Sequence, residues 1–256
     1  MKIILTCFLF LIGLISITAQ DIYYKPISNI IFANDEGTLD VGLNYEFKNT
    51  QIQAIYSLSE KYFIFGTYNI SNTSYSYSTF LWGNTRLVST NNLGYSFGGG
   101  IKKFGRIGRY DNLELLFGYE FQKVNKVESS PRFTDRDVLN HNYYKMYTQL
   151  NIIKTKAKFD FGYSLKLSYL KITYYEENGW YNNNFDFNDK SVVFIDPSVS
   201  FNFKMLTKKN LVLTSQLGLS AALNNLEFEG GYTYLAGPIA KFGVQYRFLT
   251  NKNKIK

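Results

Sequence analysis

From residue 38 onward the chain alternates between apolar and polar positions. In "TLDVGLNYEFK", Leu39, Val41, Leu43, Tyr45 and Phe47 fall on one side, and Asp40, Asn44, Glu46 and Lys48 on the other. "NLELLFGYEFQK" repeats the pattern, with Leu113, Leu115, Phe117, Tyr119 and Phe121 opposed to Glu114, Gly118, Glu120 and Gln122. "KFDFGYSLKLSYLK" and "LVLTSQLGLSAALN" repeat it again. A period of two describes strands with one apolar and one polar face. The template predicts about ten antiparallel strands, near 38–48, 51–58, 62–71, 92–104, 112–124, 143–154, 158–174, 192–206, 211–224 and 233–249, with eight or twelve as alternatives.

The connections carry a second pattern. Short turns ("SEK", "GRIGRYD", "TKAK", "TKKN") alternate with long polar stretches at 72–91, 125–142, 175–191 and 225–232. The first hairpin, near Asn49 and Thr50, is the one short connection in the long series. Tight turns on one side and long loops on the other are the connectivity of outer-membrane barrels. The expected fold is an all-β, up-and-down transmembrane β-barrel over 38–249.

Alternation alone leaves open which face is wet, and a soluble exported lipid-binding barrel would turn its apolar face inward. Three features favour the inverted arrangement. The apolar face is too bulky and aromatic for a narrow interior. Glycines gather on the polar face (Gly94, Gly98, Gly100, Gly118, Gly162, Gly218, Gly243). Aromatics cluster in "YYKMY" (143–147) and "TYY" (173–175), where a lipid–water interface favours them.

The first residues fix the compartment. "MKIILTCFLFLIGLISITAQ" has one early charge, Lys2, an apolar run from Ile3 to Ile17, and small residues after it. That is a secretory signal peptide, 1–19, ending at Ala19. Residues 20–37 then form a periplasmic lead-in and 250–256 a polar periplasmic tail. Cys7 precedes most of the apolar run, where a lipid-modified cysteine would follow it, and it departs with the leader. The mature chain therefore holds no cysteine and has no disulfide or thiolate chemistry.

The formal charge is +8 for the whole chain. The proposed inner turns and tail carry +7 and the proposed outer loops −4. A basic rim suits phospholipid head groups, which accounts for the charge without nucleic acid.

The C-terminal strand contains "KFGVQYRF". Lys241, Gly243, Tyr246 and Phe248 resemble the C-terminal β-signal of outer-membrane barrels, although eight residues follow Phe248 where the signal usually ends the chain. The resemblance implies reading by the barrel-assembly machinery. Together with "EGTLDVGLNYEF", "IQAIYSLSEKYFIFGTYN", "LGYSFGGGIKKFGRIGRYDNLELLFGYEF" and "LVLTSQLGLSAALN", this strand is similar to successive hairpins of a family of small, uncharacterised outer-membrane β-barrel proteins of Gram-negative bacteria. The likeness spans most of 37–249 and brings no functional residue with it.

Candidate chemistry is sparse. The single histidine, His141, follows Asp135 and Asp137, so an Asp137–His141 dyad is the one conceivable acid–base pair. A solvated loop histidine is the plainer reading, and no catalytic residue, metal or cofactor is assigned. Glu176, Glu177, Asp186 and Asp189 read as a solvated acidic loop rather than a calcium site. Glu46, Lys102, Glu114, Glu120, Lys145, Asp160, Lys166 and Arg247, with Asp40, Asp196, Lys204 and Lys241, place both signs on the polar faces. Opposite charges in a narrow interior are expected to pair and plug it. Trp82, Trp180 and Tyr181 lie in Tyr/Asn/Ser-rich loops and are the candidates for surface binding. The functional expectation is a monomeric, non-enzymatic outer-membrane barrel with a structural or surface-binding role. Its partners are outer-membrane lipid and the assembly machinery. The alternatives are a narrow channel, a barrel enzyme using His141, and the soluble lipid carrier.

Overall fold

The computed structural model describes residues 37–46, 49–78, 85–107, 110–129, 136–178, 189–205, 210–224, 226–228, 231–233 and 236–249. The strands are β1 (Thr38–Glu46), β2 (Asn49–Ser57), β3 (Tyr62–Ser78), β4 (Thr85–Ile107), β5 (Tyr110–Ser129), β6 (Arg136–Thr155), β7 (Phe159–Asn178), β8 (Ser191–Lys204), β9 (Leu211–Ala222), β10 (Leu226–Phe228), β11 (Gly231–Thr233) and β12 (Ala236–Leu249). Ten of them close in the order β1-β12-β9-β8-β7-β6-β5-β4-β3-β2, and β10 and β11 form a separate small hairpin. Every pairing in the barrel is antiparallel.

Closure runs from Thr38↔Leu249 to Tyr45↔Phe242, where the first strand meets the last. Gly37 opens β1 with a φ of 71°, a conformation that suits glycine, and its amide donates to Ser57 O at 2.8 Å. The β2–β3 turn is tied by Ser59 Oγ, which accepts from the amides of Lys61 (3.2 Å) and Tyr62 (3.1 Å).

The faces are inverted relative to a soluble protein. Leu43 (58% exposed), Phe117 (58%) and Phe242 (60%) point outward, whereas Glu120 (0%) and Lys145 (1%) are enclosed. Such an exterior is stable only against lipid, and only a closed barrel satisfies its own backbone there. The chain is a transmembrane β-barrel of the outer membrane. This removes the soluble carrier, because the apolar residues it needed inside are on the outside.

Two expectations are corrected. The stretches 72–91, 125–142 and 175–191 were predicted as loops. The structure instead continues β3–β7 through 72–78, 85–91, 125–129, 136–142 and 175–178. Polar pairs such as Asn91↔Asn125 and Asn125↔Asn140 break the apolar alternation there while the ladder persists. The loop at 225–232 likewise contains β10 and part of β11.

The aromatic groups at strand ends divide between the two faces. Tyr144 and Tyr174 face outward, but Tyr143, Tyr147 and Tyr175 are buried inside. Adjacent residues on a strand point to opposite faces, so "YYKMY" cannot be wholly interfacial. A register irregularity between Asn142 and Tyr143 interrupts the β6–β7 ladder.

Candidate functional site

The lumen is built from the inward positions of ten strands. Glu46, Lys102, Glu114, Glu120, Lys145, Asp160 and Lys166 are buried there, and Arg247 is half-buried at the periplasmic end. Four cross-strand positions set opposite charges face to face: Asp40↔Arg247, Lys102↔Glu114, Glu120↔Lys145 and Lys166↔Asp196. Directly opposed residues are the nearest side-chain neighbours in a ladder, so register alone matches these charges.

The geometry follows from that register. At the periplasmic end, Arg247 Nε donates to Asp40 Oδ1 at 3.1 Å, and Lys204 Nζ donates to Asp160 Oδ1 at 2.7 Å. Glu114 Oε2 accepts from Asn151 Nδ2 at 2.9 Å. Deeper in, Lys145 Nζ lies 3.8 Å from Glu120 Oε1 and 5.4 Å from the Phe194 ring centroid. Lys166 Nζ sits 4.2 Å from the centre of the Tyr147 ring, a cation–π contact. Lys241 Nζ donates to Gln51 Oε1 at 2.5 Å, and Ser220 Oγ donates to Asp196 Oδ1 at 2.5 Å. Buried charges are tolerated only when partnered in this way.

Two apolar clusters also occupy the interior. Ile55, Phe63, Phe65, Leu116 and Tyr147 form one, in the half nearer the periplasm. Tyr143, Leu170, Ile172, Tyr175, Val192 and Phe194 form the other, toward the extracellular ends of β6, β7 and β8. The polar-face reading missed them. The signal that finds them is parity: Tyr143 and Tyr147 share the phase of Lys145, and Phe194 shares that of Asp196.

The glycines of β4 and β5 make room for the rings of the first cluster. A β-carbon on Gly100 would lie 2.4 Å from Phe63 Cζ, and one on Gly118 would lie 2.4 Å from Tyr147 Cζ.

His141 is corrected in place. It lies within β6, 3% exposed, with its ring stacked on Tyr143 at a centroid distance of 6.2 Å. It is enclosed in the barrel, not a solvated loop residue. Asp137 is four positions earlier on the same strand, and four residues of strand span about 13 Å. The Asp137 side chain lies outside the described residues. Asp135 and Asp186 lie outside the described residues. Asp189 pairs with Lys171 at 2.8 Å, and Glu176 accepts from the Tyr174 hydroxyl at 2.5 Å, so these two carboxylates have separate partners.

In β12, Lys241 points into the lumen while Tyr246 and Phe248 point outward, their rings 4.8 Å apart and edge to face. Gly243 packs against Asn44 across the closing seam, where a β-carbon would meet the Asn44 side chain. Trp82, Trp180 and Tyr181, the leader 1–19, the lead-in up to 36 and the tail 250–256 lie outside the described residues.

No family model matches the chain, and no curated protein matches it. Among solved structures, the chain is similar to the translocator domain of the autotransporter NalP from Neisseria meningitidis. The identity is 15%, over 82% of this chain and 86% of that one, with a TM-score of 0.46. It is also similar to CarO2 of Acinetobacter baumannii, at 13% identity over 84% of this chain and 100% of that one, with a TM-score of 0.35. The N-terminal β-barrel domain of Pseudomonas aeruginosa OprF gives 10% identity, 84% and 100% coverage, and a TM-score of 0.25. The assignment to transmembrane barrels rests on this chain's own closed strand order and its outward apolar face.

Proposed function

We propose that the protein is a monomeric, non-enzymatic outer-membrane barrel with a closed lumen, and that its structural or surface-binding role resides in its extracellular loops. The observation that carries this reading is the filling of the interior. Two apolar clusters and a set of matched charges occupy the space that an open pore would need for water. Barrels of this size have interiors that side chains can fill. With the lumen closed, specificity falls to the loops, where Trp82, Trp180 and Tyr181 supply rigid aromatic area. The assembly machinery is the partner during insertion, through Lys241, Gly243, Tyr246 and Phe248.

Planar-bilayer recording of the purified barrel tests the closure: the expected result is no stable single-channel steps, and large, reproducible steps overturn it in favour of the channel. Binding of intact cells to arrayed surface polysaccharides and proteins tests the loops. Loss of binding in Trp82→Ala/Trp180→Ala/Tyr181→Ala supports loop recognition, and unchanged binding removes it.

A further inference from the structure

Successive pairings place one row of amide side chains across five neighbouring strands. Asn72 of β3 opposes Asn91 of β4, and Asn91 opposes Asn125 of β5. Asn125 opposes Asn140 of β6, and Asn140 opposes Glu176 of β7. Directly opposed residues share a face of the sheet. Asn91 has the phase of Leu93 and Tyr95, and Asn125 that of Phe117 and Phe121, so the row lies on the outer wall. Neighbouring strands are about 4.8 Å apart, so four spacings carry the row over about 19 Å.

Two same-face positions nearer the periplasm, the same strands carry an aromatic row, Tyr68–Tyr95–Phe121–Tyr144. Tyr68 is 41% exposed and Tyr95 46%, and the Tyr95 and Phe121 ring centroids are 5.5 Å apart. Tyrosine is enriched where lipid meets water. Below this row Phe97 and Phe117 continue the apolar wall, each 56–58% exposed. Between the aromatic and the amide rows lie Ile70, Leu93, Lys123 and Asn142. The outer wall of β3–β6 thus passes from apolar to aromatic to amide within a few residues.

The chemistry of the row is that of uncharged hydrogen bonding. Each asparagine presents two N–H hydrogens and a carbonyl oxygen. Asn125 Nδ2 donates to Asn140 Oδ1 at 2.7 Å, which holds those two side chains in place. Asn72 and Asn91 are exposed. Alternating donors and acceptors match sugar hydroxyls, which are both. A phosphate instead calls for clustered cations. The charge within the row is Glu176, an anion, and Lys123 stands alone in the row beneath it.

We propose that the Asn72–Asn91–Asn125–Asn140 row binds the uncharged sugar headgroup of an outer-leaflet glycolipid whose acyl chains lie against the wall of Phe97 and Phe117. The sugar is lipid-borne because the row continues the lipid-facing wall without a break. A molecule whose chains cover that wall carries its headgroup past the tyrosines to the asparagines. The strip lies on the outside of the barrel, so it is independent of the loop aromatics and of the closed lumen.

The test adds digalactosyl diacylglycerol to the whole barrel in detergent and reads retained lipid by native mass spectrometry. Diacylglycerol with the same chains and phosphatidylglycerol are the comparisons. The barrel is expected to retain the glycolipid above both. Asn72→Ala/Asn91→Ala, which keeps the Asn125–Asn140 bond, is expected to weaken retention about tenfold, the effect of losing two or so hydrogen bonds. Equal retention of diacylglycerol, stronger retention of phosphatidylglycerol, or an unchanged double variant overturns the proposal. So does full competition by free digalactose at the glycolipid's own concentration, which would make the lipid chains irrelevant. A second measurement leaves the row intact. In a Cys7→Ser background, bimane on Ser89→Cys, the next outward position beyond Asn91, should respond to the glycolipid and not to diacylglycerol. Bimane on Glu60→Cys, in the exposed β2–β3 turn, should respond to neither. The same response at both positions, or none at Ser89→Cys, also overturns it.

Discussion

The ring of Phe65 lies against Gly98 so closely that a β-carbon on that glycine would sit 2.5 Å from Phe65 Cζ and 2.1 Å from the carbonyl oxygen of Phe117. Neither a ring held in the inner cluster nor a ladder carbonyl can retreat by the ångström required. The glycine is there because the interior has been filled with an aromatic residue. It links the composition of β4 to the closure of the lumen.

Gly98→Ala should therefore destabilise the barrel through overpacking, a cost of about 1–3 kcal/mol in well-packed cores. Gly66→Ala is the control, because a β-carbon there meets nothing closer than Ser96 O at 3.7 Å. Urea unfolding of the detergent- or vesicle-bound barrel, followed by gel migration of unboiled samples, measures the difference. Equal midpoints for the two variants would show that the β4 backbone adapts freely.

Lys145 and Glu120 are both enclosed and lie 3.8 Å apart, opposite each other in the β5–β6 ladder. Removing one member leaves the other charge uncompensated, which costs about 3–5 kcal/mol in buried pairs. Lys145→Met should lower the unfolding midpoint sharply. Adding Glu120→Gln should recover much of the loss, because the pair itself contributes little net stability. A double variant no more stable than Lys145→Met would mean that other lumen groups, not Glu120, balance this lysine.

Phe248 faces outward opposite Leu39 at the periplasmic end of the closing seam. A charge on the lipid face costs roughly 2–4 kcal/mol at the midplane and about 0–1 near an interface. Phe248→Asp should then refold nearly normally from urea in vitro yet insert poorly in cells, leaving protease-sensitive chain. Deleting 250–256 should leave insertion intact. Normal cellular assembly of Phe248→Asp, with failure of the deletion, would place the assembly signal elsewhere.

The alternation of apolar and polar residues determined much of this protein by itself. Period-two patterning in β1, β5, β7 and β9 specifies strands whether or not their partners are known, because successive side chains must leave opposite faces. The charges at Glu120, Lys145, Lys166 and Asp196 were legible as lumen residues for the same reason.

Pairing was not legible. Lys166 meets Asp196, and Glu120 meets Lys145, only because turn lengths fix a register, and a slip of one residue would send each charge into lipid. The extensions of β3–β7 escaped notice because polar residues such as Asn91, Asn125 and Asn140 interrupt the apolar period while the ladder continues. His141 read as a loop residue for that reason, and the ladder carries it inside. Phe194 was legible only through its parity with Asp196, and the gathering of the apolar clusters at Phe65 and Phe194 belongs to the tertiary structure. A residue that fills a lumen and one that faces lipid are equally apolar, and only closure of the barrel decides which side of the wall each occupies.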